Sequence, residues 1–240
     1  MIKCLVVDLG LIGYAEAWEL QKRLVTARKA NAIEDVLLLC EHPHVITLGR
    51  NGKRENLLAS EHVLRQKGVE LHATDRGGDI TYHGPGQLVG YAILNLGAIR
   101  RDVVWYVRTL EEAMIRATTE FAITAEREPG KTGVWVKSGQ AEEKLAAIGV
   151  HISRWVTSHG FAYNVSTDLR YFDLIVPCGI ADRKATSLEK LLGRSVDEKE
   201  VAHRIGKHLG ELFGLEMKEA KQQELLERLE HAEQSAAVLA

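Results

Sequence analysis

The feature that most constrains this 240-residue chain is a glycine-rich segment early in its sequence. Its twelve residues are Arg76-Gly77-Gly78-Asp79-Ile80-Thr81-Tyr82-His83-Gly84-Pro85-Gly86-Gln87, and the apolar run from Leu88 to Leu94 that follows indicates a buried strand. Glycines cluster where backbone approaches a ligand closely or adopts a positive φ. A plain turn needs only one or two of them, so four glycines here predict a loop that cradles a ligand.

Composition and charge narrow the class of protein. The chain is 45% hydrophobic and 27% charged, which is typical of a globular protein with one full-sized core. A formal net charge of -2 provides no overall basic field, so nucleic acid is not predicted as a partner. The basic pairs Arg100-Arg101 and Arg183-Lys184 are either docking patches for acidic proteins or ordinary solvated surface.

The sequence also predicts where the protein resides. Residues 1–8 are typical of a first strand and lack the apolar region and cleavage site of a signal peptide. No apolar run approaches the roughly 20 residues that a membrane-spanning helix needs. We therefore expect a cytoplasmic protein that has no membrane partner.

Hydrophobic periodicity predicts an α+β fold, with a mixed β-sheet and flanking helices. Several strands precede any regular alternation with helices, and no dinucleotide-binding or phosphate-loop motif is present. The predicted helices span 11–29, 102–121 and 197–212; the predicted strands span 36–40, 45–48, 70–73, 79–82, 87–94, 133–136, 145–152 and 156–165. Gly206 and Gly210 are interpreted as positions of close helix packing. We expect a catalytic domain over 1–217 and a polar tail over 218–240 that docks loosely as a helix or frays.

The cysteines differ in their surroundings. Cys4 and Cys40 lie in apolar strands and are interpreted as small buried side chains. Cys178 lies between Pro177 and Gly179, which predicts a loop, so it is either a reactive thiol or another buried cysteine. A reactive thiol needs a cationic neighbour or a helix N-terminus to ionise near neutral pH.

Histidine and lysine are the candidate activators of such a thiol. His83 belongs to the glycine loop and is the strongest functional candidate among the ten histidines. Lys144 opens an apolar strand, where a lysine is ordinarily a solvated end unless a cysteine needs a positive partner. His42 and His44 flank Pro43 without a companion cluster of ligands, so we predict a polar turn there and no metal site.

Four separated segments together resemble the lipoyl(octanoyl) transferase family. They are the glycine loop 76–87, Lys144-Leu145-Ala146-Ala147-Ile148-Gly149-Val150, His159-Gly160-Phe161-Ala162-Tyr163-Asn164-Val165 and Pro177-Cys178-Gly179-Ile180. The resemblance extends from about residue 5 to 215 and implies the α+β catalytic domain shared with biotin and lipoate protein ligases. Two features depart from the common family pattern: Tyr163, where leucine or phenylalanine is frequent, and the long tail.

The resemblance implies an activity and roles for residues. The family moves an octanoyl group from acyl carrier protein to a lysine of a lipoyl domain, which is the first step of protein lipoylation. Cys178 is then the nucleophile and Lys144 its partner in a cysteine–lysine dyad, with no cofactor beyond the phosphopantetheine of the donor. The implied acceptors are lipoyl domains of 2-oxoacid dehydrogenases and the glycine cleavage H protein. The implied substrate-binding residues are Arg76, Gly77, Gly78, Asp79, Ile80, Thr81, Tyr82, His83, Ala147, Ile148, Gly149, Gly160, Phe161 and Ala162.

Three other functions remain open from the sequence. An ATP-dependent lipoate or biotin ligase would use the same fold without needing Cys178, although the stretch 49–54 only faintly resembles a ligase phosphate loop. An octanoyl relay between two lipoyl-type domains would use the same thiol. A non-catalytic module would bind acyl carrier protein without forming a covalent adduct. ATP dependence, donor competition and an octanoyl adduct on Cys178 distinguish these alternatives.

Overall fold

A computed structural model describes residues 1–139, 141–176 and 184–238 of the protein. The helices are α1 (Tyr14–Lys29), α2 (Glu61–Gln66), α3 (Leu96–Ile99), α4 (Val103–Thr119), α5 (Leu188–Leu192), α6 (Glu198–Phe213) and α7 (Gln222–Val238). The strands are β1 (Ile2–Leu11), β2 (Asp35–Glu41), β3 (Val45–Leu48), β4 (Glu70–Ala73), β5 (Ile80–His83), β6 (Gln87–Ile93), β7 (Glu126–Glu128), β8 (Lys131–Ser138), β9 (Ala141–Ser153), β10 (Val156–Asn164) and β11 (Leu215–Glu219). Two short 3₁₀ turns span Arg54–Asn56 and Leu169–Leu174.

The strands form two sheets. The larger sheet has the order β11-β1-β2-β6-β10-β9-β8-β7. Its first three strands are parallel, and every later neighbour pair is antiparallel. The smaller sheet has the order β4-β3-β5. The predicted α+β fold with a mixed sheet is therefore confirmed.

Helices cover both faces of the larger sheet because its strands alternate their apolar side chains between two cores. Leu37 and Phe161 pack in the core beneath α4 and α6. Leu38 and Ala162 pack in the core beneath α1 and α7. At the start of α4 the Asp102 carboxylate accepts a hydrogen bond from the backbone N–H of Trp105 at 2.9 Å, which confirms the predicted helix cap.

The smaller sheet holds the glycine loop in place. β4 ends at Ala73 and β5 begins at Ile80, so the residues between them connect two edge strands of this sheet. Ile46, Ile80 and Tyr82 form its own small core. The loop therefore begins and ends in the smaller sheet and extends towards the larger sheet.

Two predicted element boundaries differ from the structure by three residues or more. β1 continues through Leu11, so α1 begins at Tyr14 rather than at Leu11. β9 begins at Ala141, so Lys144 lies inside the strand and does not open it. Of the two glycines on α6, Gly210 is tightly approached by the Met217 side chain, whereas Gly206 faces open space. The close-packing interpretation is therefore correct for Gly210 and wrong for Gly206.

The C-terminal tail is an integrated part of the fold. The predicted boundary after residue 217 falls inside β11, which pairs with β1 along Leu215–Glu219. Leu225 and Leu229 of α7 are fully buried in the core that includes α1. A bidentate ion pair between Arg23 and Glu233 also joins α7 to α1. Over Gln222–Val238 the tail is helical, which agrees with one of the two predicted alternatives, and the leucines on one face of α7 complete this core, so this helix is neither frayed nor loosely docked.

Within residues 1–139, 141–176 and 184–238, no helix is both long and apolar enough to cross a bilayer.

Candidate functional site

A cavity of about 510 Å³ lies where the glycine loop approaches β9 and β10. It brings together most of the residues that the sequence analysis selected. Arg76, Gly77, Gly78, Asp79, Ile80, Thr81, His83, Lys144, Ala147, Ile148, Gly149, Gly160, Phe161 and Ala162 all line it.

Arg76 fixes the shape of the glycine loop. Its buried guanidinium donates from Nη2 to the carbonyl oxygens of Thr47 at 2.7 Å and Asp79 at 2.8 Å. Nη1 donates to the carbonyl oxygen of Gly77 at 3.0 Å, and Nε donates to the Thr47 hydroxyl at 3.1 Å. Because these bonds join both ends of the loop to β3, one side chain holds the loop against the smaller sheet.

Glycines let the loop and the larger sheet touch. The N–H of Gly77 donates to the carbonyl oxygen of Val150 at 2.9 Å. A Cβ atom on Gly149 would lie 2.9 Å from the Gly77 carbonyl oxygen, and one on Gly160 would lie 2.0 Å from that of Gly90. The missing side chains therefore bring three backbone segments together at the floor of the cavity.

His83 is a neutral hydrogen-bonding group. Its Nδ1 lies 2.7 Å from Oε1 of Gln87, and Nε2 of Gln87 donates to Oδ1 of Asn164 at 2.9 Å. An amide oxygen can only accept, so Nδ1 of His83 carries the proton and its Nε2 keeps a lone pair. Burial, followed by repulsion from His42 and Arg76, lowers the pKa of His83 to about 3.

A histidine–aspartate pair borders the cavity and was not among the residues predicted for the site. His159 lines the cavity, and its Nε2 lies 2.8 Å from Oδ1 of Asp75. Its φ of 57° is left-handed, and its N–H donates to Oε1 of Gln21 on α1 at 2.8 Å. Burial lowers the pKa of His159. Burial also opposes ionisation of Asp75, but the hydrogen bond and charge of His159 outweigh it and lower the pKa of that carboxyl.

Tyr14 was also missed as a site residue. It is the first residue of α1, lines the cavity and is 2% exposed. Its hydroxyl makes no hydrogen bond of ordinary geometry among the described residues, and the nearby Thr74 hydroxyl donates to the carbonyl oxygen of Leu48 at 3.0 Å. Burial raises the pKa of Tyr14 to about 12. The sequence indicated Tyr14 only as part of an apolar helix face, which carries no functional signal.

Lys144 lies at another part of the cavity wall. Its Nζ is 4.6 Å from the centre of the Trp135 ring, and Nζ of Lys131 lies 5.9 Å from the same centre. The backbone of Lys144 bonds to the chain just before α5: its N–H donates to Lys184 and its carbonyl oxygen accepts from Thr186, both at 2.9 Å. An aromatic face is a favourable surface for an ammonium group.

One predicted site residue lies elsewhere, and another falls outside the described residues. Tyr82 does not line the cavity in the described part of the chain, because its buried ring stacks on Tyr171 at 5.1 Å in the core of the smaller sheet. Cys178 lies outside the described residues. The chain leading to it ends in a hydrogen bond from the N–H of Val176 to the carbonyl oxygen of Asn56 at 2.7 Å.

The two histidines around Pro43 engage different partners. His42 is buried, with Nδ1 2.7 Å from the carbonyl oxygen of Ile12 and Nε2 2.7 Å from the hydroxyl of Tyr91. His44 contacts the Tyr82 hydroxyl at 2.7 Å through Nδ1. Both rings act as hydrogen-bonding groups within the fold.

Comparison with known proteins places these residues in a family context. The model for the lipoyl protein ligase A/B catalytic domain matches residues 13–210. An octanoyltransferase of Acidobacterium capsulatum is 53% identical over 223 residues, covering 87% of this chain and 89% of that protein. An octanoyltransferase of Solibacter usitatus is 54% identical over 218 residues, covering 90% and 96%.

Solved structures with the same fold are more distant in sequence. A bi-partite lipoate protein ligase from Thermoplasma acidophilum superposes with a TM-score of 0.72 at 17% identity, covering 98% of this chain and 92% of that one. Lipoate-protein ligase A bound with ATP gives a TM-score of 0.70 at 15% identity, covering 98% and 94%. The biotin protein ligase of Aquifex aeolicus gives 0.54 at 18% identity, covering 88% and 71%. At these identities the likeness concerns the fold.

Proposed function

The chain belongs to the lipoyl protein ligase A/B catalytic-domain family as an octanoyltransferase, and we propose that it transfers octanoyl groups through a thioester on Cys178. In this proposal the donor is octanoyl-acyl carrier protein, and the acceptor is a lysine of a lipoyl domain. Acceptors include the lipoyl domains of 2-oxoacid dehydrogenases and the glycine cleavage H protein.

The observation that carries the proposal is the position of Lys144 on the wall of a cavity whose floor is built from glycines. A lysine amine beside an acyl pocket can favour a neighbouring thiolate as a cation and take up a proton as a neutral base. The backbone of Lys144 also bonds to Lys184 and Thr186, which follow Cys178 closely in sequence. We therefore assign Lys144 as the partner of Cys178.

The reaction has two balanced steps. The Cys178 thiolate attacks the donor thioester carbonyl, the carbon–sulfur bond of the donor breaks, and the leaving pantetheine thiolate takes the proton of the Lys144 ammonium, which leaves the octanoyl group on the enzyme and Lys144 as a neutral amine. The acceptor amine then attacks the new thioester, Lys144 takes its proton, and the Cys178 thiolate is released. Exchange of one thioester for another is nearly isoenergetic, so the proposal needs no ATP and no cofactor beyond the donor's phosphopantetheine.

The cavity wall suits an eight-carbon chain. Ala147, Gly149, Gly160 and Ala162 are small, and the ring of Phe161 and the side chain of Ile80 add apolar surface. Burial of an aliphatic chain contributes about 0.8 kcal/mol per methylene, so the octanoyl group supplies several kcal/mol of binding free energy. Arg76 acts in the proposal by keeping the glycine loop in the shape that covers this chain.

Intact-protein mass spectrometry tests the proposal. Purified enzyme mixed with octanoyl-acyl carrier protein without ATP should gain the mass of one octanoyl group, and hydroxylamine should remove it. Cys178→Ser should gain no hydroxylamine-labile mass, whereas Lys144→Ala should be slow in acylation or in transfer. Acylation of a lipoyl domain only when ATP and free octanoate are supplied would replace the proposal with a ligase reaction. Transfer from an octanoylated lipoyl domain in preference to the carrier would indicate a relay instead.

A further inference from the structure

We propose that a basic and apolar surface at the start of α4 is the docking site for the acyl-carrying donor protein. We call it the α4 surface and define it by Arg101, Val103, Val104, Arg154 and Trp155. The occupant it fits is an acidic protein that bears the octanoyl group on a phosphopantetheine arm. This inference rests on the proposed function, and it adds where the donor binds and how its arm enters the cavity.

The α4 surface carries apolar side chains that are exposed in the folded protein. Val103 is 45% exposed, Val104 is 70% exposed and Trp155 is 36% exposed. Arg101 and Trp155 are neighbours, since a Cβ atom on Gly97 would lie 3.8 Å from Nε of Arg101 and 3.7 Å from Cβ of Trp155. Exposed apolar groups beside charged ones are typical of protein interaction sites.

The same surface concentrates positive charge on a protein whose net charge is -2. Arg101 and Arg154 are exposed, and Nζ of Lys29 bonds to the hydroxyl of Ser153 next to Arg154 at 2.9 Å. Burial and, as the smaller cause, repulsion from Arg154 lower the pKa of Lys29, so the charge of Arg154 acts on this lysine. Arg100 is neutralised by Asp102 at 2.9 Å. An acidic partner would complement the remaining cations.

The α4 surface continues into the cavity. Val104 and Val107 lie one helical turn apart on α4, and Val107 lines the cavity together with Ile148 and Val150. β8 begins at Lys131, and its antiparallel pairing of Val134 with Ala146 sets Lys131 opposite Gly149, so β9 beyond Gly149 extends past the end of its neighbour. The cavity can therefore pass around this edge of β9 and open beside α4.

The distance from the α4 surface to Lys144 indicates that this surface binds the donor protein and not the acceptor protein. Glu111 accepts a hydrogen bond from the N–H of Gly133 at 3.0 Å, and a Cβ atom on Gly133 would lie 3.5 Å from Cε of Lys144. Val104 precedes Glu111 on α4 by about 10 Å of helix rise. A lysine side chain extends only about 6 Å from its backbone, whereas a phosphopantetheine arm extends about 20 Å. A donor arm spans this distance, and an acceptor lysine does not.

Charge reversal on the α4 surface tests the inference. We would measure transfer by wild-type enzyme, Arg101→Glu/Arg154→Glu and Val104→Glu with two donors, octanoyl-acyl carrier protein and free octanoyl-pantetheine. The control is Arg65→Glu/Arg194→Glu, which changes the net charge equally at exposed positions away from α4. The enzyme is also titrated with the carrier that lacks its acyl group, at low and at high salt. This titration measures carrier binding without turnover.

We expect both α4-surface variants to raise KM for the carrier donor at least tenfold with little change in kcat. KM for octanoyl-pantetheine and for the lipoyl-domain acceptor should stay within twofold, and the control should match wild type. The arginine-dependent part of carrier binding should shrink at high salt. A rise in KM for the acceptor instead, an equal loss with the free donor, or no change with either variant would overturn the inference. Failure of the wild-type enzyme to use any octanoyl thioester would contradict the proposed function itself, whatever the binding titration shows.

Discussion

The two ends of the cavity are built on different physical principles. At one end Arg76, His83 and His159 are buried and held by short hydrogen bonds, and the partner of His159 is the half-exposed carboxylate of Asp75. At the other end Lys144 places an ammonium group 4.6 Å from the Trp135 ring centre, beside the strand edge where Lys184 pairs with it. The first end is a rigid wall, and the second carries the group suited to proton transfer.

In the proposed reaction this difference separates the groups that bind the acyl chain from the group that transfers protons. Buried groups held by several hydrogen bonds to the protein make a preorganised surface that does not rearrange when an acyl chain enters. A lysine next to an aromatic ring keeps an amine that can change its protonation state, which chemistry requires. Substitutions at the Lys144 end should therefore lower turnover. Substitutions at the rigid end should instead lower substrate affinity and stability.

The largest effect is expected from Lys144→Met. Removing the proposed proton acceptor should lower kcat about 10³-fold, the middle of the range for general base catalysis, while the melting temperature changes little. Lys144→Arg should not restore activity, because a guanidinium does not deprotonate in proteins. Single-turnover transfer to a lipoyl domain measures the effect.

Lys131→Met is the matched control for that prediction. Lys131 also places its amine near the Trp135 ring, at 5.9 Å, and it forms an ion pair with Glu128 at 3.7 Å. We expect its loss to change kcat by less than threefold. An equal loss of kcat in both variants would mean that the positive charge around Trp135 matters and that Lys144 has no special role.

The next largest effect is expected at the rigid end from Gly149→Ala. The added methyl would lie 2.9 Å from the carbonyl oxygen of Gly77 and 3.1 Å from Cδ of Arg76, so the glycine loop must shift. We expect KM for the octanoyl donor to rise about tenfold with a smaller change in kcat, because a displaced wall weakens ground-state and transition-state binding alike.

Gly206→Ala provides the comparison for that glycine. No atom lies within 4 Å of the position its Cβ would take in α6, so alanine should stabilise the helix by about 0.5–1 kcal/mol without touching activity. Thermal unfolding and steady-state kinetics on both variants separate the two effects. Unchanged KM in Gly149→Ala would show that the loop adapts and that this end of the cavity is not rigid.

Burial of His83 predicts a pH dependence of stability. Its folded pKa of about 3 lies below the ordinary value of 6.5, so the unfolded chain binds this proton more readily. The stabilising contribution is complete above pH 6.5 and falls by about 1.4 kcal/mol per pH unit between pH 6.5 and 3. In His83→Gln, the unfolding free energy should depend less steeply on pH, by the amount that the uptake of one proton contributes. Urea denaturation between pH 4.5 and 7 measures this slope.

His203 supplies the control for the pH experiment, because it is an exposed histidine on α6. His203→Gln should leave the slope of the wild-type protein unchanged. A slope that is also unchanged in His83→Gln would mean that the buried ring becomes protonated in the folded protein, and the rigid end would then carry charge.

Sequence patterns predict the floor of this site well because glycine and strand periodicity are local signals. The loop from Arg76 to His83 is recognisable from its glycine content alone, whereas the small residues of β9 and β10 are predicted for the site only through the family resemblance. Tyr82 is the exception within this set. Its ring belongs to the core of the smaller sheet, and only the packing of Tyr171 against it reveals that.

Long-range partners could not be predicted in the same way. Asp75 and His159 are separated by 84 positions in sequence, and a left-handed φ at His159 has no signature in residue type. The docking of α7 likewise depends on the packing of Leu225 and Leu229 into a core that is formed mainly by elements earlier in the chain. A local pattern indicates that a helix forms, whereas its burial is decided by what packs against it.

The smallest effect is expected from Tyr163→Phe, on the far side of the larger sheet from the rigid end. Tyr163 differs from the common family residue, yet it does not line the cavity among the described residues, and its hydroxyl donates to that of Thr118 at 2.8 Å. Thr118 in turn donates to the carbonyl oxygen of Met114 at 2.7 Å, so it keeps one bond when the tyrosine hydroxyl is removed. We expect the unfolding free energy to fall by about 1 kcal/mol with kcat/KM unchanged. A loss of kcat/KM at unchanged stability would mean that Tyr163 itself controls the shape of the cavity, and that the rigid part of the cavity wall is not confined to one face of the sheet.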